Sequence, residues 1–290
     1  MELLFLNPPV LSSLENRQKR AEIAIDIFRK RTVNNEDRHD NRFKYWIDLH
    51  RDMAEELSVE NLLRFQSHNI LGPSITGGSG KQFLDMIAKE YGYDKLNYFM
   101  RNHAETICGE PKDLVMESGA YTTVTSMRHI YHLSRLHELC HMNFVSPVDF
   151  WEIGGGFGNL ARIVCQYNLC DKYYIVDHPV MHTIQYFFLS EFLPLDEIAV
   201  VSEKGEYLSG SKDSKVHLCS SFNTGILKQY MNTRHVLVST MALTEIPNVH
   251  QNEYLELFNP DFIYIFGQLH ITSVAGGKSA GDLCFSNSGL

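Results

Sequence analysis

Residues 149–164 read DFWEIGGGFGNLARIV, with Gly154, Gly155, Gly156 and Gly158 falling within five positions. An apolar run precedes these glycines and a helical pattern follows them, so the segment is predicted to be a strand-to-helix turn stripped of side chains. Such a turn can take positive φ and bring bare backbone against a ligand. Glu152 stands two residues ahead of the first glycine. A dinucleotide fingerprint, G-x-G-x-x-G, needs a third glycine where Asn159 stands, and no Lys-Ser/Thr follows to make a P-loop. The other Gly-Lys segment, GGSGKQ at 77–82, has Ile75 where a P-loop has its first glycine and Gln82 in place of the hydroxyl. What remains is E-x-G-x-G-x-G, formed by Glu152, Gly154, Gly156 and Gly158. A tight structural loop is the plain alternative.

A second carboxylate accompanies the first. YYIVDHP places Asp177 at the end of the next predicted strand, 19 residues after Gly158. A carboxylate there can accept both hydroxyls of a ribose. Nicotinamide-dinucleotide folds share that geometry, so Glu152 and the missing third glycine are what discriminate. Capping the following helix is the alternative role for Asp177.

HELCH, at His137, Glu138 and His141, matches H-E-x-x-H. On a helix the two imidazoles would share a face and Glu138 could act as a base, the arrangement of a zinc metallohydrolase. Ser146-Pro147 stops the helix soon after, and the third histidine of the extended pattern is missing. Two surface or interface histidines are the simpler reading, and no metal is expected.

The elements that must position these residues fall into two parts. Residues 1–146 read as a helical N-terminal region: ENRQKRAEIAIDIFRKRTV has Ala21, Ile25 and Phe28 at helical spacing, and TTVTSMRHIYHLSRLHELCHMNF is a long helical segment. Residues 147–290 alternate short strands with helices, the signature of a parallel sheet covered on both faces. The expected fold class is therefore α/β: a Rossmann-like, doubly wound, mostly parallel sheet with a helical N-terminal region. LHITSV and GDLCFSN near the C-terminus would have to form a compressed hairpin, or the sheet is shortened there.

The bulk numbers fit this plan. With 44% hydrophobic and 21% charged residues, the chain has an ordinary globular composition. A net charge of -9 argues against general nucleic-acid or anionic-membrane binding. No apolar run approaches the length of a membrane span, and the start does not read as a secretory signal. Six cysteines without a C-x-x-C indicate reduced, mostly buried thiols, as in a cytoplasmic protein.

The E-x-G-x-G-x-G turn resembles the first motif of class I S-adenosylmethionine-dependent methyltransferases. WEIGGGFGNLARIV, YIVDHP, RHIYHLSRL and HVLVSTMALTEIPNVHQNEYLELF together resemble the sugar O-methyltransferase family of bacterial polysaccharide gene clusters, over about residues 120–268. The resemblance implies S-adenosylmethionine as cofactor. A phosphate-free ligand carrying an ammonium and a sulfonium suits a carboxylate beside bare backbone. Carried over by position, Glu152, Gly154, Gly155, Gly156, Gly158 and Asp177 would line the cofactor. His178 would pack by the ribose or adenine, Ser220 and Ser221 by the adenine, and Ser239 and Thr240 below the reactive methyl.

Glu245, in ALTEIP, is the expected general base, with a carboxylate satisfying backbone donors at a helix N-terminus as its plain alternative and His250 as the alternative base; Arg128 would bind an acceptor oxygen or cap the cofactor, a solvated or paired arginine being the plain alternative. The implied acceptor is a sugar or sugar-derived hydroxyl, or else another small hydroxyl- or amine-bearing molecule. The helical region would shape the acceptor site and offer a surface for a homodimer. A non-catalytic scaffold that keeps the cofactor fold is the remaining alternative.

Overall fold

The computed structural model describes residues 11–31, 44–72, 80–94, 107–112, 114–117, 120–139, 148–221, 224–231, 234–246, 248–266 and 283–286. The first part comprises α1 (Leu14–Lys30), α2 (Lys44–Glu55), α3 (Val59–Leu63), α4 (Gly80–Tyr91), β1 (Leu114–Glu117), β2 (Ala120–Thr123) and α5 (Val124–Leu139). The second runs β3 (Asp149–Ile153), α6 (Asn159–Gln166), β4 (Tyr173–Asp177), α7 (Pro179–Leu189), β5 (Ile198–Val201), β6 (Tyr207–Ser209) and β7 (Val216–Ser220). It continues with β8 (His235–Thr240), α8 (Ala242–Glu245), α9 (Asn248–Phe258), β9 (Phe262–Phe266) and β10 (Leu283–Ser286).

Eight strands form one sheet in the order β10-β9-β8-β3-β4-β7-β5-β6. The six central strands are parallel, and an antiparallel strand closes each edge. Strands β3, β5, β7 and β8 are buried at every position, as parallel strands covered on both faces must be. Side chains alternate between two cores. Phe150, Tyr173, Ile175, Val200, Leu218 and Val238 share a cluster with residues of α1, α3, α6 and α7. Trp151, Ile153, Tyr174, Val176, Cys219 and Leu237 share the other with Leu243 and Phe258. This is the Rossmann-like, doubly wound α/β fold. The strand order reverses at β3, with β4 on one side and β8 on the other; open α/β sheets commonly take their ligands beyond the strand ends at such a point.

The part before residue 147 is not helical throughout. β1 and β2 form an antiparallel hairpin, and α5 starts only at Val124, so Thr122 and Thr123 do not belong to the long helix expected there. Their β-branched side chains favour the strand, and the Thr123 hydroxyl accepts the Ser126 N–H at 3.0 Å, marking the start of α5. At the other end, Leu283–Ser286 of the GDLCFSN segment pair with β9 as an edge strand; LHITSV lies outside the described residues.

The N-terminal helices share the core of the sheet. Phe65, fully buried just after α3, packs with ring centroids 5.5 Å from Phe157, 6.4 Å from Phe187 and 6.1 Å from Phe188. Arg31, buried at the end of α1, donates to Glu203 Oε1 at 2.9 Å and the Val201 carbonyl at 2.7 Å, and bonds His182 Nδ1. Truncating Phe65 to alanine should therefore cost about 3–5 kcal/mol. In urea titration the wild-type protein and the variant are expected to unfold in one transition; separate melting of the N-terminal helices would contradict a shared core.

Candidate cofactor site

The glycine turn leaves β3 and starts α6. Gly154, Gly156 and Gly158 have φ of 75°, 53° and 92°. At Gly154 a side chain is excluded twice: the backbone is left-handed, and a Cβ would lie 2.1 Å from that of Ala242. Ala242 opens α8, so the turns after β3 and β8 touch at this glycine. Between Thr240 and Ala242, Met241 is held at φ 132°, ψ −52°, a conformation that a side chain makes costly. Strain of this kind belongs to a place where the fold forces two loops together.

Beneath the turn lies Glu152, 1% exposed. The Tyr173 hydroxyl donates to its Oε2 at 2.9 Å, and a Cβ on Gly155 would lie 3.2 Å from the same oxygen. Burial pushes the Glu152 carboxyl up to about 8; the Tyr173 hydrogen bond opposes this and the nearby Asp177 adds to it. No cationic side chain among the described residues bonds it. Asp177 ends β4 directly beside the turn. Its Oδ2 accepts the Gly155 N–H at 3.0 Å and Gln185 Nε2 at 2.8 Å, and its Oδ1 accepts the His178 N–H at 2.8 Å. Burial carries Asp177 up to about 7 against the pull of those donors.

The other residues singled out in the sequence are distributed around this centre. His178 precedes α7 and stacks on His50 of α2, centroids 3.9 Å apart; burial lowers both imidazoles, His50 to about 2 and His178 to about 4. Ser220 pairs with Asp177 across β4 and β7, and the Ser221 N–H donates to the Asp177 carbonyl at 2.9 Å. The buried Ser239 hydroxyl donates to the Ile153 carbonyl at 3.1 Å and accepts the Leu243 N–H at 2.9 Å, joining the ends of β3 and β8. Thr240 closes β8 and is 7% exposed. Glu245, half-buried, ends α8 one turn beyond Ala242, and burial raises its carboxyl. The backbone of His250 belongs to α9, but its side chain lies outside the described residues, as do the His137 side chain and His141. Glu138 accepts from Arg135 at 3.3 Å and from the Tyr91 hydroxyl at 3.1 Å on the exposed side of α5.

Arg128, half-buried on α5, adjoins a buried polar network that no motif in the sequence announces. Asn159, the first residue of α6, donates to Ser126 Oγ at 2.9 Å and His129 Nδ1 at 3.0 Å, while its Oδ1 accepts Arg162 Nε at 2.9 Å. That arrangement makes His129 Nδ1 an acceptor, so the neutral ring carries its proton on Nε2. Burial first, and Arg128 second, hold His129 and His132 well below the ordinary imidazole range. The network clamps α5 to the end of the glycine turn. Tyr173, Gln185 and His50 are likewise unmarked in the sequence. Tyr173 looks like any strand residue, Gln185 sits inside an apolar helix, and only the tertiary fold brings His50 to His178.

No family model matches the chain, and neither does any curated protein. Among solved structures, an O-methyltransferase family protein from Burkholderia thailandensis is similar over 86% of this chain and 89% of its own, with 12% identity and a TM-score of 0.28. "PigF with SAH" is similar over 80% of this chain and 78% of its own, with 11% identity and a TM-score of 0.25. Likeness at that level carries nothing about chemistry, and the fold assignment rests on the sheet itself. Among the described residues no helix is long and apolar enough to cross a membrane, and no His, Cys, Asp and Glu side chains group as metal ligands.

Gly154→Ala should combine left-handed strain with overlap at Ala242 and destabilise by about 2–5 kcal/mol. Thermal unfolding monitored by circular dichroism measures this; an unchanged midpoint would show that the two turns do not meet as described.

Proposed function

We infer that the chain is an S-adenosylmethionine-dependent O-methyltransferase acting on a sugar or sugar-derived hydroxyl. One observation carries the cofactor reading: Glu152, buried against Gly155 without a cationic partner among the described residues, under a turn that approaches with backbone alone. A buried carboxyl in that position is stabilised by a cation arriving through the turn. A phosphate gains nothing from the same group, which keeps its proton up to about 8 in the ligand-free fold. The residues present fit a nucleoside that bears positive charge: Glu152 near the charged end, Asp177 at the ribose, and Ser220 and Ser221 beyond it.

When bound, the cofactor supplies a methyl group already activated on a sulfonium. The chain then has to orient the acceptor, exclude water and take one proton. Glu245 is the proposed base. Partial burial raises its carboxyl towards neutrality, which favours accepting the hydroxyl proton as the acceptor oxygen attacks. His250 is the alternative base. Arg128 would hold an acceptor oxygen from α5, whose position the Asn159 network fixes. The sugar specificity rests on the resemblance of the motifs.

Parallel calorimetric titrations with S-adenosylmethionine, S-adenosylhomocysteine and NAD test the cofactor. Binding of the first two is expected; binding of NAD alone would overturn the reading. Glu245→Gln should leave that affinity intact and slow S-adenosylhomocysteine formation about 10²–10⁴-fold on a responsive saccharide acceptor; unchanged turnover would reject its role.

The raised carboxyls also set a pH dependence. In the ligand-free fold Glu152 and Asp177 keep protons, up to about 8 and about 7, that an unfolded chain releases near its ordinary values of 4.5 and 3.8. Their contribution to stability is thus full below about pH 4 and is lost as pH rises towards 8. A cationic ligand reverses the preference, expels the protons, and binds more tightly as pH rises from about 6 to 8, levelling off above. Calorimetry at about pH 6.5 in buffers of differing ionisation enthalpy should show release of one to two protons. Heats independent of buffer would contradict the charge pairing.

A further inference from the structure

All eleven residues of α7, PVMHTIQYFFL, are buried, and most are apolar. His182, Thr183 and Gln185 are the polar ones, and Gln185, near the centre, has 0% exposure. Its Nε2 donates to Asp177 Oδ2 at 2.8 Å and to the Gly156 carbonyl at 2.9 Å. The amide cannot be turned round, because that would set Oε1 against the Gly156 oxygen. Oε1 is therefore fixed on the other side of the amide, buried and without a hydrogen-bond partner. An unmet buried acceptor is expensive, and so is immobilising a glutamine. A leucine in this apolar helix would incur neither penalty.

The lone pairs of Asp177 indicate what the amide is for. A carboxylate offers about four lone-pair positions. Gly155 N, His178 N and Gln185 Nε2 occupy three of them, which leaves one on Oδ1. A vicinal diol brings two donors. One has a place on Asp177; the second does not, unless Gln185 withdraws. Gln185 Oε1, on a side chain already bonded to that carboxylate and to the glycine turn, is the acceptor lacking a donor.

We propose that Asp177 and Gln185 read the diol of a ribose together, one hydroxyl each, so that Gln185 makes the site discriminate against nucleosides lacking one hydroxyl of that diol. The proposal rests on the nucleoside reading above. It assigns to α7 a specificity role beyond packing.

Calorimetry with S-adenosylhomocysteine and its 2′-deoxy and 3′-deoxy forms tests it. In the wild-type protein each deletion should weaken binding about tenfold. In Gln185→Met one of the two ratios should fall close to one while the other persists, whatever happens to overall affinity. Two unchanged ratios would overturn the proposal. Loss of both would overturn it as well, since Gln185 would then only position Asp177. Should the variant not fold, a crystal structure of the wild-type protein with S-adenosylhomocysteine decides. A ribose oxygen within about 3.2 Å of Gln185 Oε1 supports the proposal; both hydroxyls on Asp177, with Oε1 on a water, refutes it. Wild-type protein that binds none of the three compounds would sink the cofactor reading and this inference together, whereas binding with unmoved ratios would sink this inference alone.

Discussion

The Asp177 carboxylate joins the parts of this molecule that have to meet. It ends β4, accepts a backbone N–H from the glycine turn that follows β3, accepts another from the residue that precedes α7, and is bonded by an amide from the middle of α7. Three elements thus converge on one carboxyl beside the point where the strand order reverses. Gly154 meets Ala242, so the turn after β8 packs against the turn after β3.

That convergence sets the electrostatics. Two carboxyls, Glu152 and Asp177, are taken out of water on adjacent strands, and each is raised by that burial. The site is costly without a ligand, as sites arranged for charge commonly are. On the proposed reading a positive, phosphate-free nucleoside would relieve the cost, whereas an anionic one would leave both carboxyls protonated. The same logic accounts for the helical cover. α1 and α3 share the core of the sheet, α2 brings His50 onto His178, and the Ser126–His129–Asn159 cluster fastens α5 to the end of the turn. The N-terminal helices would in this sense form a wall of the proposed site.

The parallel sheet was legible in the sequence because short strands alternate with helical segments, and the YYIV and HVLV stretches read as the continuous apolar runs of buried parallel strands. The glycine turn was legible because four glycines set between an apolar run and a helical pattern can form little but a bend of bare backbone. The order of strands was not: nothing in VHLCS says that it inserts between β4 and β5. The β1–β2 hairpin was hidden because Thr122 and Thr123 abut a long helical pattern, and a short strand cannot outweigh it by periodicity alone. Gln185 was invisible for a different reason. Its partners are an aspartate on another element and a carbonyl in a loop, and side-chain spacing along one helix carries no information about either. The buried state of Glu152 was hidden likewise, since the sequence shows a carboxylate but not the burial and the tyrosine that decide its charge.

The bend after β3, with the two carboxyls beside it, is proposed to hold a cationic nucleoside. Hydrogen exchange followed by mass spectrometry addresses it at the backbone. Addition of S-adenosylmethionine should slow amide exchange in peptides covering residues 150–160 and 174–186, and an equal concentration of NAD should not. Protection confined to other regions, or the same protection from both compounds, would contradict the account.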